Sequence, residues 1–234
     1  MELQPARRIT KTKNIPCPNQ YIVDIDGKYA DYAFNEERVL ENRENWRRNV
    51  FAEDDDYPLD LEIGTGNGFF FAQRSFLHPE RGLVGLELKY KPLIQSIRRA
   101  LVNGSKNARI ARFHANDLHL IFANNELNNV FIHFPDPWPK RKQFKNRLIQ
   151  NTFMEHLFEM QRPGSFVEFK TDHRGYFDWA LKIFENSPYR VIEVTRDLHN
   201  SEYADKNFVT HFEKIFLRKG QPIFYVRLEK AHIK

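Results

Sequence analysis

Cysteine is almost absent from this 234-residue sequence, which contains one, Cys17. A single cysteine excludes an internal disulfide bond and a zinc site built from clustered cysteines, and it is typical of proteins from a reducing compartment. The sequence also lacks an apolar run of the roughly 18–20 residues that a membrane-spanning helix needs. Its first eight residues lack the apolar core of a signal peptide. We therefore expect a cytoplasmic protein that has no membrane segment and no metal.

Positive charge is present in slight excess, and it is concentrated. Lysine and arginine number 36 against 31 acidic residues, which gives a net charge of +5 and a pI near 9.2. The segment Lys140–Arg147 carries five positive charges and no negative ones, and a second basic stretch spans residues 7–13. Such segments attract polyanions, most often nucleic acid, although a solvated helix face has the same composition.

The arrangement of apolar segments divides the chain at residue 58. Residues 1–58 are polar and broken by proline and glycine, so they are predicted to form an N-terminal extension with one helix over Glu36–Val50. Residues 59–234 alternate between strand and helix patterns, which predicts a doubly wound α/β domain with a mainly parallel sheet. The predicted strands are Leu59–Ile63, Leu83–Leu88, Arg109–His114, Asn129–Phe134, Gly164–Lys170, Arg190–Arg196 and Ile223–Leu228. The predicted helices are Phe69–Leu77, Leu93–Val102, Phe144–Met160 and Phe177–Phe184.

A glycine-rich turn follows the first of these strands. Ligands of such sheets bind beyond the carboxyl ends of the strands, where glycine lets the backbone approach a ligand closely. Gly64, Gly66 and Gly68 are spaced Gly-x-Gly-x-Gly, and Glu62 precedes them by two residues. Position 69 is phenylalanine, so the third glycine of the dinucleotide fingerprint is missing. This spacing favours S-adenosylmethionine (SAM) over a dinucleotide, and a plain tight turn remains the alternative.

Acidic residues occupy the next two strand ends. Glu87 follows Gly68 by 19 residues, the spacing at which nucleotide-binding α/β units place a carboxylate that accepts from the ribose hydroxyls. Asn116 and Asp117 follow the next predicted strand, where Asp117 is placed to accept from the adenine amino group. A helix N-cap explains Asp117 almost as well.

A proline-rich loop follows the fourth strand. Asp136 lies between Pro135 and Pro137, and prolines fix the backbone, so the carboxylate is expected at a fixed angle. An Asx-type turn is the structural alternative. Trp138 is placed to stack on a base, and the basic segment begins at Lys140. A rigid acid, an aromatic side chain and a run of cations indicate an active-site rim that faces nucleic acid.

Taken together, these motifs closely resemble the bacterial tRNA (guanine-N7-)-methyltransferases of the TrmB type. The resemblance covers roughly residues 59–228 and includes Phe169–Asp172 and Thr210–Glu213. It implies the seven-stranded, Rossmann-like class I fold of SAM-dependent methyltransferases and methyl transfer to N7 of guanine 46 in the tRNA variable loop. The implied cofactor-binding residues are Glu62, Gly64, Gly66, Gly68, Glu87, Asn116, Asp117 and Asp136, of which Asp136 is also catalytic. The implied substrate-binding residues are Lys140, Asp172, Thr210, His211, Phe212 and Glu213. The implied RNA-binding residues are Arg141, Lys142, Lys145 and Arg147.

Some positions depart from the family pattern. Gln143, Phe144 and Asn146 interrupt the usual denser run of arginine and histidine, and position 216 is phenylalanine where the family has glycine. The segment Thr210–Glu213 also has the spacing of a helix capping box.

Three other functions remain open at this stage. An amino-group methyltransferase has a similar proline–aromatic loop, and a nicotinamide oxidoreductase has a similar glycine turn. The third alternative is a non-catalytic RNA-binding module with a vestigial cofactor fold. The protein is expected to be a monomer or a homodimer.

Overall fold

The computed structural model describes residues 10–232 of the chain. Arg7 and Arg8, which belong to the predicted basic stretch near the N-terminus, lie outside these residues. The chain forms two compact units, the first ending at Ala123 and the second beginning at Asn124. The predicted domain boundary at residue 58 stays a prediction.

The first unit contains four parallel strands, which pair in the order β1-β4-β3-β2. The strands are β1 (Ala33–Phe34), β2 (Leu59–Ile63), β3 (Gly82–Leu86) and β4 (Ala108–Ala111). The helices are α1 (Gln20–Asp26), α2 (Phe69–Leu77) and α3 (Tyr90–Val102). Every residue of β2 and β3 is buried, as expected for parallel strands that are covered on both faces. β2 leads through α2 to β3, and β3 leads through α3 to β4, so the carboxyl ends of all three strands lie at one edge of the sheet.

The N-terminal residues contribute to this unit instead of standing apart from it. β1 pairs with β4, and the side chains of Ile25, Tyr29 and Ala33 belong to the same core as those of α2 and α3. The predicted helix over Glu36–Val50 is wrong: a 3₁₀ turn (Arg38–Asn42) and a π turn (Trp46–Phe51) occupy this stretch. Tertiary packing overrides the helical pattern here, because the fully buried Trp46 side chain donates from Nε1 to the carbonyl oxygen of Ile121.

The second unit contains the remaining four strands, in the order β5-β6-β8-β7. β5 pairs in parallel with β6, and β8 pairs antiparallel with both β6 and β7. The strands are β5 (Val130–His133), β6 (Phe166–Thr171), β7 (Arg190–Thr195) and β8 (Phe224–Glu229). The helices are α4 (Asn151–Met160), α5 (Arg174–Glu185) and α6 (His211–Arg218). The helix predicted over Phe144–Met160 is shorter than expected, since a 3₁₀ turn over Arg141–Asn146 precedes α4.

The predicted fold class is confirmed, with shifted boundaries. All seven predicted strands are present, β1 is an eighth that the pattern missed, and parallel pairs outnumber antiparallel ones. Within residues 10–232, no helix is both long enough and apolar enough to span a membrane. Over the same residues, no group of three or more histidine, cysteine, aspartate or glutamate side chains is arranged to hold a metal ion.

Candidate active site

The glycine turn between β2 and α2 has the backbone that its sequence predicts. Gly64, Gly66 and Gly68 have φ values of +80°, +53° and +75°, which L side chains rarely adopt. A Cβ built on Gly64 or Gly66 meets no atom within 4 Å, so both positions border open space. A Cβ on Gly68 would lie 2.3 Å from Cα of Ser96. Gly64 and Gly66 are therefore free to face a ligand, whereas Gly68 is required for close packing of the turn on α3.

Ser96, which sequence reasoning missed, anchors this turn. Its hydroxyl donates to the carbonyl oxygen of Gly66 over 3.0 Å and lies 3.0 Å from the hydroxyl of Thr65. Ser96 is fully buried in the middle of α3, where a small polar residue has no distinctive sequence signal. The contact holds the glycine turn against a regular helix, which fixes its shape before any ligand arrives.

Glu87 is the first residue after β3, one step beyond the strand end instead of within the strand as predicted. Its Oε2 accepts from the backbone N–H of Gly66 over 3.0 Å, and its Oε1 accepts from that of Lys89 over 2.9 Å. Burial raises the pKa of Glu87, while these backbone donors oppose the increase. The carboxylate thus ties the glycine turn to the end of the neighbouring strand, and its remaining lone pairs are available to accept from hydroxyl groups.

Glu62, the last residue but one of the buried strand β2, is an acidic residue in a buried environment. Its side chain is 3% exposed, and its Oε2 has no hydrogen-bond partner within residues 10–232. Burial, together with the charge of Glu87, raises the pKa of Glu62 to about 8. A buried oxygen without a partner costs about 1–3 kcal/mol. A ligand that brings an ammonium group would remove this cost, and the methionine end of SAM carries such a group.

Asn116 and Asp117 lie in a 3₁₀ turn over Ala115–Leu120, after the end of β4. The N-cap of this turn is His114, whose Nδ1 accepts from the backbone N–H of Asn116 over 3.2 Å. The N-cap of the turn is therefore not Asp117, which lies at a kink within the turn and has non-helical dihedral angles. Its half-buried side chain belongs to the third loop at the same sheet edge as the glycine turn and Glu87. The first unit thus brings together the predicted cofactor residues that it contains.

In the second unit, the loop after β5 carries an exposed acid on a strained backbone. Phe134 and Trp138 have φ values of +52° and +42°, which are uncommon outside glycine and unfavourable for bulky side chains. Between them, Asp136 is exposed. The loop is anchored at its start by the backbone N–H of Phe134, which donates to the carbonyl oxygen of Lys170 on β6 over 2.8 Å. Surrounding contacts, and not only the prolines, therefore fix the position of Asp136.

The basic segment separates into two kinds of residue. Lys140, Arg141, Lys142 and Lys145 are exposed, as an RNA-facing surface requires. Arg147 is 2% exposed, and its Nε donates to the carbonyl oxygen of Pro137 over 2.9 Å. Its predicted role as an RNA contact is wrong in this structure, because a buried guanidinium has no access to phosphate. Spacing along the sequence did not distinguish it from its exposed neighbours.

The predicted substrate segment Thr210–Glu213 is also divided. Thr210 Oγ1 accepts from the N–H of Glu213, and the Glu213 carboxylate accepts from the N–H of Thr210, so the capping box at the start of α6 is confirmed. Thr210 is 5% exposed and Glu213 is fully buried, which contradicts direct substrate contact by either side chain. His211 and Phe212 are exposed, and the Phe212 ring lies 5.9 Å from that of Phe134.

A buried ionic cluster, which sequence reasoning also missed, links this helix to the sheet. Lys170 on β6 is fully buried, and its Nζ donates to the carbonyl oxygen of Phe208 over 3.0 Å and to Oδ1 of Asn207 over 2.5 Å. The same Nζ lies 3.6 Å from Glu168 and 3.7 Å from Glu213. Burial alone would raise the pKa of Glu168, but the charge of Lys170, together with the hydrogen bond to His133, lowers it to about 2.

Asp172 completes the set of residues in the second unit. It follows β6 directly and is half-buried. Because β5 and β6 are parallel neighbours, Asp172 lies at the same sheet edge as the loop that carries Asp136. The second unit therefore contains the loop that carries Asp136, the neighbouring Asp172 and the exposed cations of the basic segment.

Several known proteins with similar sequences carry the name tRNA (guanine-N(7)-)-methyltransferase. Residues 56–226 match the family model described as "Putative methyltransferase". The tRNA (guanine-N(7)-)-methyltransferase of Bdellovibrio bacteriovorus is 54% identical over 206 residues, which cover 88% of this chain and 99% of the relative. The enzyme of the same name from Bacillus subtilis is 30% identical over 206 residues, which cover 88% and 94%.

Solved structures agree on the fold. A SAM-dependent methyltransferase from Aquifex aeolicus superposes with a TM-score of 0.52 at 14% identity, over 91% of this chain and 97% of that one. An rRNA methylase from Streptococcus thermophilus gives a TM-score of 0.52 at 13% identity, over 76% and 89%. These likenesses confirm the class I methyltransferase fold and no more. The sequence relationships go further, and they show that the chain belongs to the TrmB-type tRNA (guanine-N7-)-methyltransferase family.

Proposed function

We propose that this protein transfers the methyl group of SAM to N7 of guanine 46 in the variable loop of tRNA. The observation that carries the proposal is the loop after β5, which presents an exposed Asp136 and continues directly into four exposed cations. The 54% identity to a tRNA (guanine-N(7)-)-methyltransferase supports the same reaction. Guanine 46 is the position that the family resemblance implies.

The residues of the first unit fit SAM. Glu62 would accept from the ammonium group of its methionine end, and the open space beside Gly64 and Gly66 admits close contact with the backbone. Glu87 would accept from the ribose hydroxyls, and Asn116 with Asp117 would contact the adenine. When bound, SAM supplies an electrophilic methyl group on a sulfonium centre. The Glu87 side chain is held by two backbone N–H groups, and Asn116 and Asp117 lie in a loop at the same sheet edge.

Asp136 would serve the methyl transfer through its charge and position. N7 of guanine has an in-plane lone pair, so no base is needed to remove a proton before attack. Methylation places positive charge on the ring, and a fixed carboxylate stabilises charge that develops at a defined point. Alignment of the two reactants supplies the rest of the rate enhancement. An exposed carboxylate on a loop anchored at both ends has the properties that this role demands.

The tRNA would be bound by the exposed groups of the second unit. Arg141, Lys142 and Lys145 would contact phosphates, and Lys140, nearest to Asp136 in the chain, would act at the target base. Asp172, His211 and Phe212 are accessible for contacts with the same nucleotide. Phe212, whose side chain is 49% exposed, offers a face for base stacking. A tRNA substrate also implies that the protein works in the cytoplasm, and its state as a monomer or homodimer stays a prediction.

The test is transfer of labelled methyl from SAM to bulk tRNA, followed by mass spectrometry of the nucleosides. We expect 7-methylguanosine as the labelled product, and we expect an Asp136→Asn variant to form far less of it. An amino-methylated nucleoside in its place would support the alternative methyltransferase. Binding of tRNA without any transfer, by protein that binds S-adenosylhomocysteine, would support a non-catalytic module. Either result would overturn the proposal.

A further inference from the structure

Arg147 differs from the other cations of the basic segment in where its side chain lies. The chain turns back after the 3₁₀ turn over Arg141–Asn146, and the Arg147 side chain enters the protein with 2% exposure. Its Nε donates to the carbonyl oxygen of Pro137 over 2.9 Å, and its Nη2 lies 3.5 Å from the carbonyl oxygen of Trp138. These are the first two carbonyl groups after Asp136, so the guanidinium contacts the loop directly beside the proposed catalytic acid.

Aromatic side chains hold the guanidinium in place. The Phe144 ring lies 3.7 Å from its central carbon, and the rings of Tyr176 and Trp179 lie 5.1 and 5.3 Å away. Tyr176 and Trp179 belong to α5 and are themselves fixed, because Tyr176 accepts from the N–H of Ile149 and Trp179 donates to its carbonyl oxygen. A planar cation with several donors suits this environment, since it stacks on rings and donates at its edge.

The loop needs such support, because its backbone is strained. The positive φ values of Phe134 and Trp138 persist only where surrounding contacts impose them. The first end is held by Lys170 on β6, whose carbonyl oxygen accepts from the N–H of Phe134. At the second end, the Arg147 guanidinium contacts the carbonyl oxygen of Trp138, and burial, which lowers the pKa of Arg147, leaves an arginine charged at neutral pH.

We propose that Arg147 is a positioning residue, which holds the strained end of the loop so that Asp136 stays directed at the target guanine. The proposal rests on the function proposed above, because it assumes that Asp136 acts on that base. It also gives the basic segment two separate tasks. The exposed cations bind phosphate. The buried Arg147 side chain connects the turn that carries these cations to the loop that carries Asp136.

The experiment compares Arg147→Ala and Arg147→Lys with Arg190→Ala, which removes an exposed arginine from β7 in the same unit. Single-turnover methylation is measured with saturating protein, and tRNA affinity is measured over a range of salt concentrations. We expect Arg147→Ala to lower the single-turnover rate by about 100-fold, the cost of misplacing a reacting group by about 1 Å. The dependence of log affinity on log salt should be unchanged, whereas a lost phosphate contact would reduce its slope by about 0.7–0.9.

Two further readouts separate positioning from general destabilisation. Guanidinium chloride well below denaturing concentrations should restore part of the Arg147→Ala rate, while sodium chloride of equal ionic strength should not. Arg147→Lys keeps the charge but lacks the planar fork, so it should recover less than full activity. In protein labelled with fluorotryptophan, the ¹⁹F signals of Trp138 and Trp179 should shift in both variants, and the Trp46 signal serves as reference.

The ¹⁹F measurement does not depend on methylation, so it distinguishes failure of this proposal from failure of the proposed function. An unshifted Trp138 signal in folded Arg147→Lys protein would refute the positioning role, even if the parent protein methylates tRNA. A salt slope reduced by about one contact, with the rate at saturation unchanged, would show that Arg147 binds RNA instead. If Arg147→Ala fails to fold, the Lys variant supplies both decisive measurements.

Discussion

Replacing exposed cations of the basic segment by alanine tests how this protein would bind tRNA. The structure leaves Arg141, Lys142 and Lys145 exposed and removes Arg147 from the surface. Each phosphate contact contributes about 0.7–0.9 to the slope of log affinity against log salt, because binding releases condensed counterions. Changing these three residues to alanine should therefore reduce the magnitude of the slope by about 2–3, not by the larger amount that all five cations would give. Filter binding of tRNA at several salt concentrations measures this slope.

A matched control removes three exposed cations from elsewhere on the molecule. Arg98, Lys106 and Lys182 are all exposed and lie outside the basic turn. Their replacement by alanine changes the net charge equally and should leave the slope almost unchanged. SAM affinity should be the same in both triple variants and the parent. Equal slopes for the parent and the basic-turn variant would refute the phosphate contacts and leave a solvated face as the explanation of the charge.

Three further predictions concern the acids of the two units. Glu87→Ala should weaken SAM binding tenfold or more, since charge-assisted hydrogen bonds contribute about 1.5–3 kcal/mol. Calorimetry measures this affinity, with the exposed Glu80→Ala as the control variant. An unchanged SAM affinity would show that Glu87 does not belong to the site. Asp136→Asn keeps the shape but removes the charge, so single-turnover methylation should fall by orders of magnitude with a smaller change in tRNA affinity, and a near-normal rate would refute its role. The pKa of Glu62 is raised to about 8 in the folded protein, so the folded state retains a proton that the unfolded state loses above about pH 4.5. The ligand-free parent should therefore lose stability as pH rises toward 8, by up to about 1.4 kcal/mol per pH unit. Glu62→Gln should show less of this loss in urea unfolding, and parallel pH profiles for the two proteins would contradict the buried acid.

Local structure could be predicted best from the sequence where the local residue pattern and the overall fold favour the same conformation. The glycine turn, Glu87 and the proline-flanked Asp136 lie at strand ends as predicted, because such positions combine a backbone requirement with a chemical one. Helix α2 was predicted with its observed bounds, since glycine starts it and a regular apolar pattern fills it. By contrast, the prediction of a helix over Glu36–Val50 is wrong. Trp46 is buried by tertiary contacts, which a local sequence pattern does not contain.

The burial of Arg147, Glu213 and Lys170 could not be predicted from the sequence. Arg147 has the same charge and spacing as exposed neighbours, and only the fold shows that its guanidinium lies among three rings. Glu213 belongs to a motif with two explanations, and its complete burial decides for the capping box. Lys170 occupies a strand that pairs on both sides, where its charge is balanced by Glu168 on the same strand and by Glu213 from a distant part of the chain. The pairing with Glu213 depends on long-range topology, so it leaves no signal in the spacing of residues.

Mapping the methylated nucleotide tests whether a chain whose loop presents Asp136 transfers methyl to a single guanine of tRNA. A tRNA transcript with guanine at position 46 is incubated with SAM and the protein, then reduced with borohydride and cleaved with aniline, which breaks the chain at 7-methylguanosine. We expect a single cleavage at position 46, which is lost when that guanine is replaced by adenine and is strongly reduced with Asp136→Asn. Cleavage at another guanine, or methylated tRNA that resists this treatment, would contradict it.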